Sequence, residues 1–270
     1  MKKLLAGLLS LIFAAGCLCS CSVKGGNLYK YRNPDKYSVG NTEFSGKITK
    51  LDVEWISGSV NIIAAGESVA IKETAPDPLE EKHQLRWWLD GETLRIRFVK
   101  NEALSLSKVT LPKDLTLTLP AETVLDEIEI YSVSADVSVE ADSKEYEIST
   151  VSGDLDIISS AGNTVRAETV SGTLSISAAK LVSAALNSVS GDLTLRSEVL
   201  PERIEFNSIS GNTEIFLPEN ASFSVNAGSV SGNFTSDFPF TKSGKYLISG
   251  DGLCKITASS VSGDISIKKN

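Results

Sequence analysis

The chain repeats one tripeptide along most of its length: valine or isoleucine, then serine, then glycine. Complete copies end at Gly58, Gly153, Gly172, Gly191, Gly211, Gly232 and Gly263, and a degenerate copy ends at Ala135. From the degenerate copy onward, the third residues are 18, 19, 19, 20, 21 and 31 positions apart. A near-constant period of this length is the signature of stacked repeats. The repeat therefore favours a fold in which equivalent positions lie directly above one another.

Apolar and polar residues alternate on both sides of each copy. Tyr146 and Ile148 precede one copy in this pattern, and Leu155 and Ile157 follow it. Alternation with a period of two is typical of strands that bury one face. Glycine at a fixed corner supplies backbone angles that a side chain would forbid. Each repeat is thus interpreted as two short strands that meet at a Ser-Gly corner.

One repeat cannot enclose a core by itself. Copies stacked about 4.8 Å apart would bury each inward residue against its equivalents above and below. An antiparallel sandwich would instead require turns of varied type at intervals of about 8 to 12 residues. The sequence therefore predicts an all-β fold, a parallel β-solenoid (β-helix) with coils of about 19 residues.

The chain is predicted to have four segments. They are a lipoprotein signal peptide (1–20), a flexible tether (21–44), N-terminal β coils with a hairpin cap (45–130) and the Val-Ser-Gly repeat solenoid (131–270). The signal is indicated by Lys2 and Lys3, which precede an apolar run too short for a settled membrane span. The tether is indicated by polar, glycine-containing sequence.

Two cysteines near the end of the signal compete as lipidation sites. The sequences ending in Cys17 and in Cys21 both resemble the lipobox of bacterial lipoproteins, in which the cysteine after the cleavage site carries diacylglycerol. Cys21 is favoured because leucine lies three positions before it, whereas Cys17 has alanine there. An ordinary secretory signal with incidental cysteines is the alternative. Diacylation would hold the protein durably at the extracytoplasmic face of the cell membrane.

Composition excludes several classes of function. Asp and Glu number 34 against 26 Lys and Arg, which gives a charge of −8 and argues against nucleic-acid binding. Removal of the signal takes away two lysines and no acid, so the charge becomes −10. One histidine and four cysteines are too few for histidine triads, multi-histidine metal sites or a disulfide framework. No catalytic residue, metal site or cofactor is predicted.

A hairpin at residues 84–98 concentrates the unusual side chains. Its turn is predicted at Asp90-Gly91, and one face carries the candidate ligand-binding residues Arg86, Trp88, Arg95 and Arg97. Arginine pairs well with carboxylates and exposed tryptophan stacks on sugars, so this face suits an anionic or carbohydrate ligand. The favoured interpretation is that the hairpin caps the first coil. Arg86 would then lie opposite Arg95, and Glu80, Glu81 or Glu92 would compensate the positive charge of the two arginines.

Two other kinds of chemistry were weighed for the repeat. The residue after each corner is polar: Asp136, Asp154, Thr173, Asp192, Asn212, Asn233 and Asp264. Stacked carboxylates would suit Ca²⁺, but threonine and asparagine interrupt the series, so local hydrogen bonding at the corner is favoured. Asp154 and Asp156 are the best carboxylate pair for glycan hydrolysis, yet solubilising residues are the simpler interpretation.

The repeated phrases resemble the bacterial DUF4097 family, also labelled "putative adhesin". The resemblance covers roughly residues 45–270 and is carried by the phrases above, by the stretch around Trp55 and Gly58, by Lys108-Val109-Thr110-Leu111-Pro112, and by the closing Val261-Ser262-Gly263-Asp264. It implies an exported or membrane-tethered β-repeat protein and supplies no catalytic residues. Ala135 departs from the pattern and implies a relaxed corner; the long insert between Gly232 and Gly263 departs from it as well.

These observations predict a lipid-anchored extracytoplasmic β-solenoid that acts as a non-catalytic binding, adhesin-like or scaffolding module of the bacterial cell envelope. Its expected partners are the membrane, through the lipid anchor, and a cell-wall glycan or an envelope protein. The alternatives are a glycan-processing enzyme on a β-helix and an envelope-stress regulatory or sensor protein that acts through a membrane partner. A monomer is expected because Lys268 and Lys269 would charge the final strand edge.

Overall fold

A computed structural model describes residues 29–101 and 112–270 of the chain. The predicted signal peptide (1–20) and both candidate lipidation sites, Cys17 and Cys21, lie outside the described residues, as do residues 108–111 of the family phrase. The strands are β1 Ser38–Val39, β2 Thr42–Phe44, β3 Lys50–Gly66, β4 Val69–Thr74, β5 Arg86–Asp90, β6 Thr93–Arg97, β7 Lys113–Pro120, β8 Val124–Glu140, β9 Asp142–Ser152, β10 Leu155–Ser171, β11 Leu174–Ser190, β12 Leu193–Ser197, β13 Arg203–Ser210, β14 Thr213–Leu217, β15 Phe223–Ser231, β16 Phe234–Ser236, β17 Thr241–Ser243, β18 Tyr246–Ser249, β19 Cys254–Ser262 and β20 Ile265–Lys269.

The middle of the chain forms a parallel stack. Strand β8 pairs with β9 and β10, β10 with β11, β11 with β12 and β13, and β12 with β14, all in parallel. The register places Leu155 beside Leu174 and Leu174 beside Leu193. All three are buried, so the inward positions of successive repeats pack on one another in the core. The predicted all-β, parallel β-solenoid is confirmed.

The corner glycines are required by the stacking itself. Gly191 has a φ of +145°, and a Cβ built on it would lie 2.0 Å from the carbonyl oxygen of Gly172 in the preceding coil. The same close approach recurs at the other corner glycines, and φ there runs from +101° at Gly58 to +153° at Gly153, except at Gly232, where φ is not in this range. Ala135 keeps a negative φ and β8 runs through it without a break. This corner is therefore relaxed, as the sequence implied.

The first coil in sequence is not the first in space. Strand β3 lies between β8 on one side and a layer made by β6 and β7 on the other. Antiparallel strands cover that layer: β5 on β6, β4 on β7, β1 on β5 and β2 on β4. The hairpin β5–β6 thus closes the N-terminal end of the stack. Residues 29–44, predicted as part of the tether, contribute β1, β2 and the buried Tyr29 to this end.

The last coil in sequence is also displaced inward. Strand β19 pairs in parallel with β13 and with β15, and β20 pairs with β14 and β16. The final layer is therefore β15–β16, which explains the long insert between Gly232 and Gly263. Strand β20, which carries Lys268 and Lys269, is therefore not the outermost strand as predicted, although β16 pairs with it only as far as Ile267. Lys268 pairs with Glu214 of the neighbouring coil.

Two further features complete the fold. Cys254 is fully buried on β19, and burial raises the pKa of its thiol to about 12. Within residues 29–101 and 112–270, no helix is both long and apolar enough to cross a membrane.

Candidate functional site

The arginine-rich hairpin has a different register from the predicted one. Asp90 pairs with Thr93, so Gly91 and Glu92 occupy the turn, and Gly91 has a φ of +64°. The consequence is that Arg86 lies opposite Arg97, and Trp88 lies opposite Arg95. The predicted pairing of Arg86 with Arg95 is therefore wrong: the turn lies one residue later, so the partner of Arg86 lies two residues further along β6. A turn with glycine at its first central position fits the twist of a hairpin, which explains the shift.

The face that carries these four residues is largely covered. Arg86 and Arg97 are buried, while the side chain of Arg95 is 33% exposed and Trp88 is half-buried. Tyr37 packs on Trp88 with ring centroids 5.6 Å apart, and the Arg97 guanidinium lies 5.9 Å from the centre of the Tyr37 ring. The segment before β1 thus lies over the hairpin face.

The charge on this face is balanced by strand β3. The register places Asp52 beside Arg95 and Glu54 beside Arg97. The Asp52 carboxylate accepts hydrogen bonds from the Arg97 Nη1 and Nη2 atoms at 2.7 and 2.8 Å, and it also pairs with Arg95. Glu54 Oε1 lies 3.3 Å from Arg97 Nε. Sequence reasoning missed both acids, although Asp52 and Glu54 share the polar parity of β3.

Of the three acids expected to cover the hairpin, two pair with lysines and one pairs with an arginine of the face. Glu80 pairs with Lys82, and Glu92 pairs with Lys47. Glu81 contacts the face as predicted: its carboxylate Oε1 lies 3.6 Å from Arg86 Nη2, and its carbonyl oxygen accepts a hydrogen bond from the same atom at 2.9 Å. Arg95 and Arg97 are therefore held by a neighbouring coil, whereas Arg86 is held by the loop that leads into the hairpin.

Burial and ion pairing shift the pKa values in this cluster in the same upward direction. Burial alone would lower the pKa of Arg97, but its hydrogen bonds with Asp52 and the charge of Glu54 raise it above its usual value. Burial also raises the pKa of Glu54, although Arg97 opposes that rise. Arg97 therefore stays charged at any physiological pH and depends on Asp52 for compensation.

Replacing Asp52 with asparagine is expected to lower the free energy of unfolding by about 2 kcal/mol, because a buried charge-assisted network loses its anion. Urea titration monitored by circular dichroism measures the change. Asp90→Asn is the control, since Asp90 contacts Arg95 at the exposed rim and should matter by less than about 0.5 kcal/mol. Equal losses in the two variants would contradict a capping role for the cluster.

Three tyrosines join the segment before β1 to the hairpin. Tyr29, Tyr31 and Tyr37 contact one another in sequence, with ring centroids 5.6 and 4.8 Å apart. The Tyr29 hydroxyl also accepts a hydrogen bond from the Phe98 backbone N–H at 3.1 Å. Burial raises the pKa of Tyr37 to about 12 and that of Tyr29 well above 10.

Alkaline pH is expected to destabilise this end of the stack. The fold favours the neutral phenol, so the stabilisation is complete below pH 10 and is lost as pH rises from 10 towards about 12. Thermal unfolding followed across that range should show a falling midpoint together with rising phenolate absorbance. Tyr37→Phe should weaken the fall, and Tyr246→Phe, at an exposed tyrosine, should not. A pH response unchanged in Tyr37→Phe would contradict the assignment.

A second buried ion pair lies beneath the hairpin. Lys113 Nζ is 2.5 Å from Glu73 Oε1 and donates to the carbonyl oxygen of His83 at 2.8 Å. Burial lowers the pKa of Lys113 to about 8, although Glu73 opposes the shift. The sequence contained the signal, because Lys113 has the inward parity of Leu115. This pair fixes the start of β7 to the residues before β5.

An open cavity of about 470 Å³ lies beside this pair. Its lining includes Gly40, Asn41, Glu73 and Gln84, together with the loop at 74–79. The Asn41 Oδ1 atom accepts a hydrogen bond from the Glu73 backbone N–H at 2.7 Å. None of the four hairpin residues predicted to bind a ligand lines the cavity.

The polar residues after the corners form a ladder between coils. Asp154 Oδ1 accepts a hydrogen bond from the Thr173 backbone N–H at 2.8 Å, and Asp192 Oδ1 accepts one from Asn212 at 2.7 Å. Corner hydrogen bonding was predicted, but its direction was not: the corner aspartates bond the backbone of a neighbouring coil and not their own turn. The Asp154 carboxylate, considered for glycan chemistry with Asp156, therefore has a structural contact.

The stacked coils and their corner phrase define an all-β repeat protein of the β-solenoid class. The Toastrack DUF4097 family model matches residues 48–268. The chain belongs to that family, as the repeated phrases indicated. A search of curated proteins found no match.

Several crystal structures are similar to the chain over most of its length. A "putative cell adhesion protein" from Clostridium sporogenes is 14% identical, with 86% of this chain and 100% of that chain covered and a TM-score of 0.44. A "putative adhesin" from Bacteroides fragilis is 15% identical, with 86% and 97% covered and a TM-score of 0.46. A "putative adhesin" from Parabacteroides distasonis is 10% identical, with the same coverage and a TM-score of 0.41.

Proposed function

We infer that the protein is a lipid-anchored binding module of the bacterial cell envelope, with no catalytic role. Adhesion or scaffolding through the surface of the rod is the activity that this architecture supports best. Its partner is expected to be a cell-wall glycan or an envelope protein. Membership of a β-repeat family supports the binding class, and the lipobox supports the location.

The observation that carries the proposal is the direction of the stack, meaning which of its two ends lies next to the predicted lipidation site. The Tyr29 hydroxyl is hydrogen-bonded to the Phe98 backbone at the N-terminal end of the stack, next to strand β6. Cys21 precedes Tyr29 by eight residues, which span at most roughly 28 Å. A lipid on Cys21 would therefore place the N-terminal end near the membrane and point the remaining coils away from it. Such a rod presents its sides and its far end to ligands.

The anchor is tested by labelling with a radioactive fatty acid in a bacterial host. Cys21→Ala is expected to abolish the label and release the protein from the membrane fraction, whereas Cys17→Ala keeps both. Loss of label only in Cys17→Ala would move the anchor to that residue. Labelling that survives in the double variant would contradict lipidation at either cysteine.

Binding is tested with residues 22–270, a fragment that contains every described residue. The fragment is screened against cell-wall glycans, teichoic-type polyanions and glycan lyase substrates, with binding and product release measured in one assay. Saturable binding without product release is the expected result. Release of a glycan product would overturn the non-catalytic assignment and direct attention to Asp154 and Asp156.

A further inference from the structure

The far end of the stack has a strand edge that is only partly paired. Strand β18 covers β15 at Phe223–Val225. Beyond that point, the described strands leave residues 226–231 of β15 and all of β16 without a neighbour on the outer side. The N-terminal end differs, because β1 and β2 are short strands that lie over β5 and β4.

Every inner pair of coils is joined by backbone hydrogen bonds, and this edge has the backbone groups to form the same bonds on its outer side. The Gly211 N–H donates to the Ser262 carbonyl oxygen at 3.1 Å, and the Gly263 N–H donates to that of Ser231 at 3.2 Å. Gly232 occupies the same corner position in the last layer, and no further coil follows it among the described strands. The outer edge is therefore competent to pair with another strand.

The edge also lacks the charges that usually prevent strand pairing between molecules. Residues 223–236 contain no charged residue and no proline, although the whole chain has a charge of −8. Val230 is 78% exposed there, whereas the equivalent Val189 within the stack is only partly exposed. Natural sheets protect long edges with charges or proline. The lysines expected to do so, Lys268 and Lys269, lie on β20 and not on β15 or β16, past the last residue of β20 that pairs with β16.

We propose that this edge binds a second copy of the same chain, with β15 of the two copies paired antiparallel about a two-fold axis. The uncharged strand is the part of an acidic protein where two copies meet with least repulsion. A two-fold contact uses the same patch on both partners and closes on itself. Because the N-terminal end is covered, association stops at a dimer and no fibre forms. The proposal is independent of lipidation and of any ligand.

Sedimentation equilibrium of the 22–270 fragment tests the proposal. The wild type is expected to form a dimer whose fraction rises with concentration, and Val230→Lys should weaken the dimer at least tenfold by placing two lysines at the shared edge. Val182→Lys is the matched control, because Val182 is 42% exposed on β11, within the stack. It should leave the dimer unchanged.

Circular dichroism and the thermal midpoint must be unchanged in both variants, so that a weaker dimer reports on pairing and not on misfolding. A wild-type fragment that stays monomeric at the highest soluble concentration would overturn the proposal. Equal weakening by the two lysines would overturn it as well, since the effect would then come from net charge and not from the edge.

Discussion

Replacing Gly191 with alanine is expected to lower the free energy of unfolding by more than about 4 kcal/mol and to leave little folded protein. The new Cβ would lie 2.0 Å from the carbonyl oxygen of Gly172 and 2.8 Å from its carbonyl carbon. The φ of +145° adds backbone strain for any residue with a side chain. The coil cannot move away, because coils on both sides hold it at the stacking distance.

Gly162→Ala is the matched control for this substitution. Its Cβ would meet only the carbonyl oxygen of Lys180, at an ordinary contact distance of 3.5 Å, and its φ is not strained. We expect a change within about 1 kcal/mol of the wild type. Urea unfolding of both variants makes the comparison. Similar losses in the two would mean that the corner is not built as described.

Deleting residues 254–270 is expected to remove at least about 5 kcal/mol of stability, which is comparable to the whole of a typical domain. The deletion takes away β19 and β20, the coil that lies between β13–β14 and β15–β16. The final layer then loses its parallel partner. Inward side chains such as Phe206 and Phe223, which are now fully buried, lose their cover.

Limited proteolysis followed by mass spectrometry tests the deletion. Cleavage throughout 223–253 is expected, in addition to the loss of the missing coil. The control shortens the β17–β18 hairpin to a glycine link, since β18 pairs with only three residues of β15 and its loss should cost less. Protection of Phe223–Ser236 in the deleted protein would show that this layer does not depend on β19 and β20.

The repeat part of the fold was predictable because its signals are local and periodic. Corner glycines, alternating parity and parallel stacking all follow from one phrase repeated at a near-constant interval. Gly172 and Leu174 lie where that phrase requires. The presence of hydrogen bonds at the corners was predictable, since polar residues such as Asp154 favour turns, but their partners in the next coil were not.

The order of coils at the two ends was not predictable from the same signals. The strand around Ile256 has the same alternation as the one around Val225, so either could pack next to the coil that contains Phe206. The choice depends on the long-range path of the chain and on what covers each end. The position of Lys268 relative to the sheet edge followed from that choice.

The candidate site was predictable in composition but not in contacts. The hairpin and its arginines were visible, yet the partners of Arg97 lie on a strand more than forty residues earlier. Parity placed Asp52 and Glu54 on a polar face without saying which strand that face would meet. A shift of one residue in the turn at Gly91 then decided which arginine lies opposite Arg86.

The inserted last coil is the central claim about the architecture, and disulfide trapping tests it most directly. Glu205 lies beside Thr257, and Thr257 lies beside Asn226. Neighbouring strands are about 4.8 Å apart, within the range of about 4.4 to 6.8 Å that a disulfide bridges between Cα atoms. Strand β19 separates Glu205 from Asn226 by roughly twice the strand spacing.

Two double-cysteine variants of residues 22–270 are therefore oxidised and compared, with Cys254 left in place because it is buried. Glu205→Cys with Thr257→Cys is expected to form the disulfide in high yield, and Glu205→Cys with Asn226→Cys is expected to stay reduced. The reverse result, a bridge only between positions 205 and 226, would show that the coils stack in sequence order and would contradict the architecture.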